Sequence, residues 1–191
     1  MRDFTCGINE YVKKEIKVLS NLDASSINDV MNAILEAYEK SANIYIFGNG
    51  GSASTASHFQ NDFNKGISEY LEKKFNFVCL NDNIPTVMAI ANDLGYENVF
   101  SFQLRNKLKT DDLVIGISGS GNSPNVLNAI EYAKSAGVRT VGITGYDGGK
   151  LAKTADISFI AYINNMQITE DIHMILDHMM MSVFMDTLAK R

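Results

Sequence analysis

The sequence predicts an α/β protein: a three-layer α-β-α sandwich built on a five-stranded parallel sheet and preceded by two helices. Three observations carry this. Five short apolar runs, Ile44–Phe47, Phe75–Leu80, Leu113–Ser118, Arg139–Thr144 and Ile157–Ala161, alternate with helical stretches. Several of them are apolar at successive positions, as strands buried on both faces are. Glycine- and serine-rich turns follow the first and third runs, the place where an open sheet meets helix N-termini and holds ligands.

Taken in order, residues 4–20 repeat Ile8, Val12, Ile16 and Leu19 with a helical period, and Asn21 to Ala24 break it. Ser25 or Ser26 can cap a second helix that runs through Ile27, Val30, Met31, Ile34, Leu35 and Tyr38. These two helices either cover one face of the sheet or turn an apolar stripe toward a second subunit. Between and after the strands, helices are expected over 52–66, 84–94, 97–108, 123–136, 148–155 and about 167–190. Parallel strands joined by helices imply right-handed crossovers. With no linker or repeat, residues 1–191 read as one domain: leading helices over 1–40, sheet core and C-terminal helix over 41–191.

Composition narrows the partners. With 46% hydrophobic and 20% charged residues in 191, the chain can bury a substantial core. A net charge of -5 without a basic run predicts no nucleic-acid and no membrane partner. A small anion must then be held by local dipoles and hydrogen bonds. Cys6 and Cys79 form no CxxC pair, and neither a signal peptide nor a run of roughly 20 apolar residues is visible. A cytoplasmic protein is expected.

The first turn is "GNGGS", Gly48 to Ser52; the second is "GISGSGNSPN", Gly116 to Asn125. Glycine lets backbone approach a ligand, and serine hydroxyls donate to an anion. A helix starting near Ser123, with Pro124 at its first position, adds free N–H groups and the positive end of a dipole. Tight turns and caps alone would also use these residues, but Ser118, Ser120 and Ser123, spaced by glycines, suit a phosphate monoester. No Lys-Ser or Lys-Thr pair makes a Walker loop, and neither turn completes GxGxxG.

The three histidines are His58, His173 and His178. His58 and Asp62 are four apart, on one helical face, a spacing that serves a metal or an ordinary surface pair. On the last helix Glu170, Asp171, His173, Asp177 and His178 fall within nine positions. His173 and Asp177, also four apart, would be accounted for by a solvated ion pair. Glu170 and His178 flank a common groove. Periodicity does not choose among these carboxylates.

In order along the chain, "GNGGSA…HF", "AIANDLGYENVFS", "GISGSGNSPNV", "GITGYDGGKLAKTADI" and "EDIHMILDH" resemble the SIS (sugar isomerase) domain family, of flavodoxin-like fold. The "HFxxD" and "IHxxxxH" patterns point to its phosphoheptose isomerase branch. The resemblance covers about residues 40–185. It implies a homotetramer that isomerises sedoheptulose 7-phosphate to glycero-manno-heptose 7-phosphate, with a divalent metal such as zinc. The implied metal ligands are His58, Asp62, Glu170 and His178. The implied substrate contacts are Asn49, Gly50, Gly51 and Ser52, then Asn92 and Asp93, then Ser118, Gly119, Ser120 and Ser123, with Asp62 and Glu170. Asp62, Glu170 and His178 are the implied catalytic groups. Several positions depart from the pattern: Asp62 and Glu170 stand for a glutamate and a glutamine, Gly119 for a threonine, Gln167 for an aspartate. A shift of roles follows as an expectation, with short Asp62 on the metal, longer Glu170 as general base and His178 as acid partner; the alternative is that Asp62 keeps the base role after a small shift of its helix. The competing class is a non-catalytic sugar-phosphate binder or replication-initiator scaffold, which would not be expected to keep both histidines and an acidic partner.

Overall fold

The computed structural model describes residues 1–189. Strands β1 (Ile44–Gly48), β2 (Phe77–Cys79), β3 (Leu113–Ser118), β4 (Arg139–Gly145) and β5 (Ile157–Ala161) form one parallel sheet in the order β2-β1-β3-β4-β5. The helices are α1 (Thr5–Leu19), α2 (Ala24–Glu39), α3 (Gly51–Asn61), α4 (Ile84–Leu94), α5 (Ser101–Leu104), α6 (Pro124–Ser135), α7 (Leu151–Thr154) and α8 (Met166–Leu188). The expected three layers and five parallel strands are present.

Side-chain alternation assigns the layers. Ile44, Ile46, Ile115, Ile117, Val141 and Ile143 point into one core with α2, α3 and α8. Tyr45, Phe47 and Val114 point into the other, with α4, α6 and α7. Both faces are buried, so strands are apolar at successive positions and polar residues collect at their ends. The chain leaves β1 toward β2 on one side and reaches β3 on the other. Gly48 pairs in register with Ile117, so the turns after β1 and β3 adjoin at the point where strand order reverses.

The two leading helices divide the two expected roles. Asp23 caps α2 by accepting from the Ser25 N–H, and Ile27, Val30, Ala33, Ile34 and Ala37 bury its face on the sheet. In α1 only Val18 is buried. Its apolar residues Ile8, Val12 and Ile16, with Phe4 at the N-cap, remain 44–65% exposed.

Four boundaries differ from expectation. β2 is shorter than Phe75–Leu80, and the side chain of Asn81 continues its pairing. The Gly48 N–H donates to Asn81 Oδ1 (3.2 Å), and Asn81 Nδ2 donates to the Gly48 carbonyl (2.8 Å). The expected helix over 97–108 is a 3₁₀ turn, Tyr96–Asn98, followed by the single turn of α5; Arg105 turns extended at ψ 128° and Asn106 takes φ +59°, which ends it. The helix over 52–66 changes to a π-helical turn at Asp62–Ile67, widening the helix where Asp62 leaves it. The 148–155 helix contracts to α7. The end of the expected 167–190 helix at Lys190 lies outside the described residues. Among those described, no helix is long and apolar enough to cross a membrane.

Candidate active site

At the end of β1 the chain must turn sharply into α3. Gly48 has no room for a side chain, because a Cβ there would lie 2.7 Å from Ser52 Cβ and 2.9 Å from the Ile117 carbonyl. Gly50 makes the turn at φ +55°, a conformation L side chains rarely adopt. Asn49 is held by a reciprocal amide pair: its Nδ2 donates to Asn125 Oδ1, and its Oδ1 accepts from Asn125 Nδ2, each at 2.8 Å. The Tyr96 hydroxyl also donates to Asn49 Oδ1, at 2.8 Å.

The turn after β3 faces this wall. Ser123 stands at the N-cap of α6 but its hydroxyl makes no cap bond. It lies 3.0 Å from Ser118 Oγ instead. Ser120 Oγ accepts from the Asn122 N–H at 3.2 Å. Gly121, at φ +64°, presses against the Gly148 backbone. At Gly119 the space a side chain would fill holds Met166: an added Cβ would lie 2.6 Å from its sulfur.

The residues expected from the two turns line one cleft of about 270 Å³, with Asn49 to Ser52 on one wall and Ser118, Gly119, Ser120 and Ser123 on the other. Met166 and Glu170 of α8 complete it. The Glu170 carboxylate sits against Gly51, where a Cβ would collide with it. Hydroxyls and a helix N-terminus at one end and a carboxylate at the other suit a small phosphorylated substrate.

A second group of side chains lies between α3, the π-turn and α8. His58 Nε2 is 3.0 Å from His178 Nε2 and 3.4 Å from Asp62 Oδ2; His178 Nε2 is 3.8 Å from the same oxygen. Asp177 joins them, and one donor atom from each of the four lies within 4.8 Å of the others. Glu170 is not in this group; seven residues, about 10 Å of helix rise, separate it from Asp177.

His58, Asp62 and His178 fit a metal. In a tetrahedral site with bonds near 2.0–2.1 Å, neighbouring ligand atoms are about 3.3 Å apart, close to the spacing of these three. Asp177 is fully buried, and neither of its carboxylate oxygens has a hydrogen-bond partner. Burial, with a smaller contribution from the Asp62 charge, pushes its carboxyl up to about 8. A cation supplies what both observations lack.

Other expected residues lie elsewhere. Asn92 and Asp93 are exposed on the last turn of α4, paired with each other through Asn92 Nδ2 and Asp93 Oδ1 (2.7 Å), and do not line the cleft. His173 and Asp177 are not a solvated ion pair, for both are fully buried. His173 Nε2 lies 2.9 Å from the Thr144 carbonyl and must donate to it, leaving Nδ1 without a partner. Burial holds this imidazole down at about 4. The Cys79 thiol is pushed up to about 11 by burial and is no nucleophile near neutral pH.

Sequence reasoning did not single out Asn125 or Met166, and it left Asp177 as half of a solvated ion pair. For Asp177 a signal existed: a carboxylate set in the apolar run Met174–Leu176 and Met179–Met181.

The SIS domain family matches residues 9–145. The chain is 35% identical over 171 residues to a phosphoheptose isomerase of Helicobacter pylori strain P12, covering 90% of this chain and 86% of that one. It is 34% identical over 176 residues to a probable phosphoheptose isomerase of Thermoplasma volcanium, covering 92% and 89%. Among solved structures, a phosphoheptose isomerase from Neisseria gonorrhoeae superposes with a TM-score of 0.88 at 26% identity, over 97% of this chain and 100% of that one.

Proposed function

The chain belongs to the phosphoheptose isomerases of the SIS domain family, and on that premise we propose that it interconverts sedoheptulose 7-phosphate and D-glycero-D-manno-heptose 7-phosphate, or a closely related pair, through an enediolate. It is a sugar-phosphate isomerase. The observation that carries the proposal is one cleft holding a phosphate-type serine turn and a free carboxylate, with a His/Asp cluster beside it on α3 and α8.

Ser118, Ser120 and Ser123, with the N-terminus of α6, grip the phosphate and fix the open chain. Asn49, Gly50, Gly51 and Ser52 let the sugar lie along the backbone. Glu170 acts as general base, taking the C1 proton of the ketose, exchanging it with solvent and delivering a proton to C2 of the aldose. His178 exchanges the hydroxyl proton between the two oxygens. Its Nε2 faces His58 and Asp62, so Nδ1 is the nitrogen that exchanges. His58, Asp62 and His178 hold a divalent cation, zinc by their nitrogen and oxygen chemistry. When bound, it polarises the carbonyl and stabilises enediolate charge.

The protein works as a homotetramer in the cytoplasm. The assembly is supported by the stripe Phe4, Ile8, Val12 and Ile16, which recurs every four residues on α1 and stays exposed. Light scattering at micromolar concentration should report four chains.

The function is tested by incubating the purified protein with sedoheptulose 7-phosphate in D2O and following the products by NMR. The aldose should appear with deuterium at C2. Unchanged ketose in the presence of zinc rules the reaction out.

A further inference from the structure

Helix α8 carries a carboxylate that the proton transfer does not use. Asp177 is fully buried, both of its oxygens lack a partner, and the Asp62 carboxylate grouped with it has the same sign. A buried carboxylate in that situation is strongly unfavourable, and a hydrophobic residue would fit α8 better there. Such a carboxylate either holds a proton or sits beside a positive charge. No lysine or arginine supplies it, since among the described residues Asp177 makes no ion pair or hydrogen bond.

What does surround Asp177 is the set of donors His58, Asp62 and His178, with one atom from each of the four inside 4.8 Å. We propose that Asp177 is the fourth protein ligand of the bound cation, so that the set is His58–Asp62–Asp177–His178 and Glu170 stays off the metal. This rests on the metal-assisted reading above. Two imidazoles and two carboxylates give a charge of -2, which neutralises a divalent cation without help from Glu170. Asp62 leaves the π-turn after α3, whereas Asp177 comes from α8, so the cation ties the two helices together. Glu170 sits about two helical turns away, against Gly51 in the cleft. Its negative charge is then free to serve as a base.

The test uses full-length protein stripped with a chelator and titrated with Co2+, followed by its d–d absorption bands, and with Zn2+, followed by thermal unfolding. Wild type should take up one Co2+ per chain. Asp177→Asn and Asp177→Leu should each bind it roughly a hundredfold or more weakly, whereas Glu170→Gln should stay within about threefold of wild type. Zn2+ should raise the melting temperature of wild type and of Glu170→Gln, with little effect on either Asp177 variant. The metal-free Asp177 variants should melt no lower than metal-free wild type, because each removes an unpartnered carboxylate. Wild-type Co2+ affinity in both Asp177 variants, or loss of Co2+ in Glu170→Gln, would overturn the assignment. An absence of Co2+ uptake by wild type would overturn it together with the metal part of the proposed function. In that case the isomerase reading would still be decided by the product assay.

Discussion

The cleft and the histidine cluster lie on neighbouring elements but are built on opposite principles. In the cleft several of the polar side chains that shape the walls already have partners. Asn49 is bonded to Asn125 and Tyr96, and Ser118 to Ser123. The backbone is shaped by glycines at positive φ, Gly50 and Gly121. Such a site is rigid before anything binds. In the cluster, two histidines and an aspartate crowd together beside a buried carboxylate whose oxygens have no partner at all. That arrangement is incomplete without a cation. On the proposed function the difference divides the work: preformed hydrogen bonds would read substrate shape, and the cluster, where charge is left unbalanced, would supply electrostatic strength.

The largest effect should come from the cleft. Ser118→Ala with Ser123→Ala removes two hydrogen bonds to a charged group, each worth roughly 1.5–3 kcal/mol. Affinity for sedoheptulose 7-phosphate should fall by about a hundredfold or more in calorimetry, while Co2+ uptake is unchanged. Loss of both together would mean that the two regions are one cooperative unit.

A smaller effect concerns the interior beneath the cluster. His173 sits at about 4 in the folded protein because of burial, against about 6.5 in an unfolded chain. The unfolded state therefore binds the proton first as pH falls. Stability from this group is complete above about 6.5, declines below it and levels off near 4, a total of about 3 kcal/mol. Asp177, raised by burial, contributes with the opposite sign in metal-free protein, losing stability as pH rises toward 8. Urea unfolding of wild type and His173→Gln between pH 4 and 7 separates the two, and the variant should lack the acid-side loss. The smallest effect is Tyr96→Phe, which removes one exposed hydrogen bond to Asn49. It should lower stability by about 0.5–1 kcal/mol in thermal unfolding.

The same two regions were unequally legible in the sequence. The cleft could be read because its chemistry is local. A glycine-serine turn between an apolar strand and a Pro-started helix carries its meaning within ten residues, and Gly48–Ser52 and Ser118–Ser123 fall where expected. The strands were legible for a similar reason, since runs such as Leu113–Ser118 are apolar on both faces. β2 read two residues too long at its N-terminal side because Phe75 extends the apolar texture beyond the strand, whose first bond to β1 is the Asn76 carbonyl accepting from the Ile44 N–H at 2.9 Å.

The cluster depends on tertiary placement. Four-residue spacing shows that His58 and Asp62 share a face, but not that α8 packs against that face and the π-turn. Nor does spacing tell a solvated Asp177 from a buried one; only the packing of α8 does. The π-turn at Asp62 has no sequence signature, yet it sets where that carboxylate emerges. Asn92 and Asp93 stand apart from the cleft lining because α4 presents them to solvent, on the far side of Gly95 from the turn that brings Tyr96 to Asn49.

The division of labour between the two regions is tested most directly by turnover of Glu170→Gln beside Asp62→Asn in the same NMR assay. If the cleft carboxylate moves the proton, Glu170→Gln should lose roughly a hundredfold or more in turnover while keeping both bound metal and sugar-phosphate affinity. Asp62→Asn should lose metal along with activity. Normal or improved turnover in Glu170→Gln would contradict the account and return the base to Asp62.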